Sequence, residues 1–133
     1  MMRRMLVIGR IAIWCLVVGA VGWQPVRPAA AANPVRPAVE EARIAALLGA
    51  VERSGAQFIR NGTEYSAQEA LHHMEQKLWW AGSRVKTAEE FIEGIASRSS
   101  ISGKPYLIRL PDGRQEEAAE WLRGKLAEID LQR

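Results

Sequence analysis

Between Asn61 and Glu69 the chain reads NGTEYSAQE, and this stretch restricts the fold more than any other. Asn61-Gly62 accepts the positive φ angles that a tight hairpin turn requires. Phe58 and Ile59 precede the turn and Tyr65 follows it, so the spacing predicts a short β-hairpin. Asn61-Gly62-Thr63 also spells a glycosylation acceptor, but the turn explains the same residues without a particular host. Ser66 and Glu69 then form a capping box, in which each side chain satisfies a free amide at a helix start. A hairpin therefore runs directly into a helix.

The flanking segments extend this pattern. Ile44, Leu47, Leu48 and Val51 recur on one helical face, which predicts a first helix over 37–53. Pro37 and Glu40-Glu41 suit its start and Gly55 its stop. The capping box opens a second helix over 67–81, with Ala67, Leu71, Met74 and Leu78 inward and Gly82 at its end. Thr87 and Glu90 repeat the capping pattern and open a third helix over 88–97, with Phe91, Ile92 and Ile95 inward. Tyr106 to Leu110 reads as a strand, Pro111-Asp112-Gly113 as a turn, and the residues after it as a brief return strand. A last helix over 117–130 is expected to bury Trp121, Leu122, Leu126 and Ile129. Four helices with two short β-hairpins, and strands too short for parallel crossovers, specify a small single-domain α+β fold.

Residues 1–32 stand apart. Arg3 and Arg4 make a positive start, an apolar run follows from Ile11 to Val21, and the segment ends in small residues. That order is expected of a secretory signal peptide cleaved after Ala32. An uncleaved membrane span needs about 20 apolar residues, and Arg10 interrupts this one. Residues 33–38 are a Pro/Ala-rich lead-in, expected to be extended and weakly ordered, and 39–131 form the domain. Export of 1–32 removes Arg3, Arg4, Arg10 and Arg27, which takes the 18 basic residues to 14 against 15 acidic, a net charge of −1 instead of +3. A near-neutral domain without a basic cluster is a poor match for a nucleic-acid backbone, so no nucleic-acid partner is expected. Cys15, the one cysteine, leaves with the same segment, so the domain is held by core packing without disulfides or thiolate metal sites.

The stretches FIRNGTEYSAQEALHHMEQKL and TAEEFIEGIASRSSISGKPYLI, then PDG and EWLRGKL, resemble the YfeK-like family of small exported bacterial proteins, over roughly residues 40–130. Its most specific piece is the run from Phe91 to Tyr106. The resemblance implies a bacterial envelope protein, periplasmic or secreted, and implies no activity and no catalytic residues. Members of the family can carry a cysteine near the start of the second helix; this chain has none there.

Few residues carry chemistry by pattern. His72 and His73 are adjacent on a helix and point about 100° apart, so they do not clasp one metal. Glu69 and His72 have Glu-x-x-His spacing, but a di-iron site needs a second copy and more carboxylates. No metal and no cofactor is expected. The acidic pairs Glu89-Glu90 and Glu116-Glu117 fall at helix starts, where the dipole favours them. Trp79 and Trp80 project away from the inward face of the second helix, each one heptad after a histidine. Either the first hairpin or a neighbouring helix covers them, or they anchor a partner. The stretch SRSSISGKPY, residues 97–106, admits two readings. It is a joint between helix and strand, its serines meeting loose carbonyls. Alternatively, its amides and hydroxyls, with Arg98 and Lys104, hold an anion.

The leading expectation is a non-enzymatic envelope module that binds a protein or wall-derived ligand. Trp79, Trp80 and His73 are its contact residues, and Arg98, Ser100, Ser102 and Lys104 its polar site. The alternative is a small hydrolase or transferase acting on an envelope substrate through His73 with Ser100 or Ser102. Membrane attachment is expected only through an uncleaved leader. Intact-mass measurement of the exported form is expected to place its first residue within a few positions of Asn33; retention of Met1 or Arg3 would refute the export reading.

Overall fold

The computed structural model describes residues 36–133, so the leader 1–32 and residues 33–35 of the lead-in lie outside the described residues. Helix α1 spans Ala38–Arg53. Strands β1 (Gln57–Arg60) and β2 (Thr63–Ser66) form the first hairpin, and helix α2 follows at once over Ala67–Ala81. A 3₁₀ turn, Gly82–Arg84, leads to α3 (Ala88–Phe91), which widens into a π turn over Ile92–Ala96. Strands β3 (Leu107–Arg109) and β4 (Gln115–Glu117) form the second hairpin, and α4 (Ala118–Leu131) closes the chain. The fold is α+β, with four helices and one four-stranded sheet.

Local chemistry sets the element ends. Asn61 and Gly62 both have positive φ, 52° and 83°, as a two-residue hairpin requires. At α2 the Glu69 amide donates to Ser66 Oγ at 3.2 Å, and the Ser66 amide donates to Glu69 Oε2 at 2.8 Å. The Ser66 amide also holds the Glu69 carboxyl below its usual range. Thr87 and Glu90 exchange the same pair of bonds at α3. The second turn is closed by Asp112, whose side chain accepts the Arg114 amide at 2.9 Å.

The two hairpins join into one antiparallel sheet in the order β2-β1-β3-β4. Tyr65, Phe58, Ile108 and Glu116 stand opposite one another in a row across it. Phe58 and Ile108 in the middle of that row are buried in the core with Ile44, Leu47, Phe91 and Leu122 from the helices. The other face carries Ile59 and Leu107 between Glu64 and Glu117, and an ion pair from Arg109 to Glu64 spans it at 2.6 Å. Four-stranded antiparallel sheets commonly bury one face and wet the other in this way.

Three details depart from the sequence-based expectations. Trp121 and Ile129 are only partly covered, because α4 spends its inner face on Ala118, Ala119, Leu122 and Leu126. Trp121, Lys125 and Ile129 form the neighbouring stripe, and the Lys125 ammonium lies 5.7 Å from the Trp121 ring centre. The third helix is α-helical for only its first four residues. The described end of the lead-in is docked: Arg36 is buried, donating to the Val85 carbonyl at 2.9 Å and pairing with Glu41 at 2.7 Å. One buried and one part-buried bond offset the extended preference of a Pro/Ala-rich stretch.

Arg43 ties three helices at one end of the molecule. Its guanidinium bonds Glu40 on α1, Glu89 on α3 and Asp130 on α4. These bonds hold the Glu89 and Asp130 carboxyls below their usual range. Glu40 in turn accepts the Ala88 amide at 2.8 Å, satisfying a free donor at the start of α3. Among the described residues no helix is long and apolar enough to cross a membrane.

Phe91 is the largest side chain fully enclosed by this core. Replacing it, Phe91→Ala, is expected to cost about 3–5 kcal/mol of stability in urea denaturation; a loss well under 1 kcal/mol would contradict the packing described.

Candidate functional site

Helix α2 is wetted on one side and covered on another, with a third stripe between. Ala70, His73, Lys77 and Trp80 recur at helical spacing beside the buried Leu71 and Met74. That third stripe forms one wall of an open groove of about 330 Å³. The first hairpin supplies the opposite wall with Phe58, Ile59, Arg60 and Tyr65. Ile95 of the π turn, Ser100 and Ile101 of the following loop, and Tyr106 close the end.

Lys77 is the polar centre of the groove and is half-buried. Its ammonium donates to the Ile95 carbonyl at 2.6 Å, reaches the Tyr106 hydroxyl at 3.5 Å, and lies 5.2 Å from the Tyr106 ring centre. The π turn leaves carbonyls without ordinary helical partners, which makes Ile95 a natural acceptor for a cation. Burial, and secondarily the charge of Arg60, pushes the Lys77 ammonium below its usual pKa. Burial raises the Tyr106 phenol. The His73 ring meets Tyr65 edge-on, with centres 5.5 Å apart.

Trp79 and Trp80 are 74% and 73% exposed. Their ring centres lie 4.8 Å apart edge to face, so each ring covers part of the other and both stay largely open to solvent. Trp80 stands on the groove rim and Trp79 beside it. Ile101, 87% exposed, adds an apolar side chain on the far rim.

The 97–106 stretch folds around Ser99, which is buried. Ser99 Oγ accepts the amides of Ile101 and Ser102 and the Asn61 side-chain amide, each at 3.4 Å. The Ser99 amide donates to the Lys104 carbonyl and the Gly103 amide to the Ser99 carbonyl, both at 2.9 Å. Ser97 Oγ donates back to the Glu93 carbonyl, and Ser102 Oγ donates to Asn61 Oδ1. The loop amides are thus turned inward, and the loop is stitched to the Asn61-Gly62 turn.

Of the residues singled out by sequence, His73, Trp80 and Ser100 line one groove and Trp79 adjoins it. Ser102 faces Asn61, and Arg98 and Lys104 are exposed in the loop without lining the groove. His72 bonds Gln76 at 3.0 Å. Among the described residues no group of three or more metal-ligating side chains comes together. Sequence reasoning missed Arg60, Tyr65, Lys77, Tyr106 and Ser99. The Ala70-His73-Lys77-Trp80 spacing was a usable signal for the α2 wall; nothing local announced the others.

The comparisons add a family to this geometry. Residues 38–130, nearly all of the described chain, match a family of unknown function (DUF5329). The chain belongs to this YfeK-like family. It is 47% identical over 68 residues to the uncharacterized protein YfeK of Salmonella typhimurium, covering 50% of this chain. The match spans 57% of that relative's length. No solved structure matches. The YfeK-like identity carries no activity with it.

Ser99→Ala is expected to cost about 0.5–1.5 kcal/mol, since it removes the acceptor shared by three part-buried donors. Hydrogen exchange should accelerate at the Ile101 and Ser102 amides in particular; unchanged protection there would remove Ser99 from the centre of the loop.

Proposed function

We propose that this domain is a non-enzymatic binding module of the bacterial envelope, exported by its leader. In this reading the α2 groove and its tryptophan rim receive a protein or wall-derived ligand. The exposed Trp79-Trp80 pair beside a preformed groove is the observation that carries the reading. Pockets for ligands are concave, mostly apolar and preformed, with a few polar groups that orient the occupant. Leaving an indole in water forgoes about 2–4 kcal/mol that a covering surface recovers, and tryptophans are the commonest anchors of interfaces. Export is supported by the positive, apolar and small-residue order of residues 1–32.

A hydrolase or transferase reading draws on one observation, that His73 and Ser100 line the same groove. The described contact of the His73 ring is the edge of Tyr65, and Ser102 Oγ is spent on Asn61. A serine nucleophile needs its base within hydrogen-bond reach, and the binding reading requires no such bond.

A photo-crosslinker at position 79 of the exported chain tests the module. It is expected to capture a partner above the level of a probe at Arg114 on the second hairpin turn. Unlabelled wild-type chain should displace that partner, and Trp80→Ala should need at least about tenfold more chain to do so. Equal competition by Trp80→Ala, or no capture above the Arg114 control, would overturn a tryptophan-centred site.

A further inference from the structure

We propose that the groove takes a small amphiphile bearing one carboxylate, with the head between Arg60 and Lys77 and the apolar tail along α2. This deepens the binding reading and rests on it.

Charge complementarity argues for the head group. Arg60 and Lys77 both line the groove, and among the described residues no aspartate or glutamate lines it with them. Elsewhere Arg36, Arg43, Arg109, Arg114, Arg123 and Lys125 each lie within 4.0 Å of a carboxylate. Among the described residues Arg60, Lys77, Arg53, Arg84, Lys86, Arg98 and Lys104 have no such neighbour, and of these only Arg60 and Lys77 line the groove. Arg60 also repels the Lys77 charge: after burial it is the second cause that lowers the Lys77 pKa, and both side chains line the same groove. An anion between them relieves that repulsion.

The donor count argues for a carboxylate. An ammonium has three N–H groups, and Lys77 turns them toward the Ile95 carbonyl and the Tyr106 hydroxyl, leaving one free. The planar fork of Arg60 matches the two oxygens of a carboxylate.

The walls argue for a small apolar tail. Phe58, Met74, Ile95 and Ile101 present hydrocarbon, with Trp80 at the mouth. The volume of about 330 Å³ lies at the lower end of small-molecule sites. A peptide added as a strand needs free main-chain partners. On the sheet wall β1 is already paired on one side with β2 and on the other with β3, which leaves only the outer edge of β2 for an added strand.

Octanoate and octan-1-ol, which share one tail, test the head group by NMR titration of the labelled chain as recovered from cells. Octanoate is expected to shift the Lys77 and Tyr106 amides and the Trp80 indole, with affinity at least about tenfold above octan-1-ol. Arg60→Gln and Lys77→Met should each remove that preference while leaving octan-1-ol binding in place. Should Lys77→Met fail to fold, Arg60→Gln decides alone. Equal affinity for the two probes would overturn the charged seat and leave the groove reading standing. Absence of shifts with either would overturn the amphiphile, and capture at position 79 would still judge the groove reading separately. Tighter binding of a short peptide with a free C-terminus, or shifts that follow chain concentration alone, would replace the amphiphile with a peptide or a second copy.

Discussion

The antiparallel seam between β1 and β3 holds the two hairpins as one sheet, and the remaining structure is arranged around it. Phe58 and Ile108 face each other at its midpoint, both buried. Each hairpin runs into a helix without a linker, β2 into α2 and β4 into α4. The molecule is therefore two hairpin–helix units, with α1 and the π turn after α3 each packed against both α2 and α4. An isolated two-stranded hairpin is marginal in water. Joined, each unit gives the other the second neighbour that a central strand needs.

That arrangement also creates the groove. The seam fixes where the first hairpin stands, and the direct β2-to-α2 connection brings the outer stripe of α2 alongside it. The inner face of α2 is already occupied by Leu71 and Met74. Lys77 falls at the boundary between covered and open stripes, so its stem packs while its ammonium seeks an acceptor. The carbonyl of Ile95 meets it there. Trp80 lines the groove near the end of α2 and Trp79 adjoins it, and both remain largely exposed.

Polar stitching holds this region without any disulfide. Asn61 supplies the positive φ of its turn and also bonds Ser99 and Ser102, so one residue fixes both a turn and the distance from that turn to the serine loop. At the other end Arg43 gathers carboxylates from α1, α3 and α4. The serine loop supplies Ser100 and Ile101 to the groove, and its bonds to Asn61 tie that end of the groove to the first hairpin.

The sequence by itself determined what depends on neighbours a few residues away. The Asn61-Gly62 turn, the capping boxes of Ser66-Glu69 and Thr87-Glu90, and the inward faces of α1 and α2 all rest on contacts within about one or two helical turns. The α+β class followed from their order. Only the tertiary structure decided that the two hairpins share one sheet, that Ser99 rather than Ser100 or Ser102 is the buried hub, and that Lys77 belongs to a groove with Arg60 and Tyr106. In each case the deciding partner is distant in sequence: Ile108 for Phe58, Asn61 for Ser99, Ile95 for Lys77. Periodicity records which way a side chain points from its own backbone. It does not record which surface, bond acceptor or charge the rest of the chain will bring to meet it.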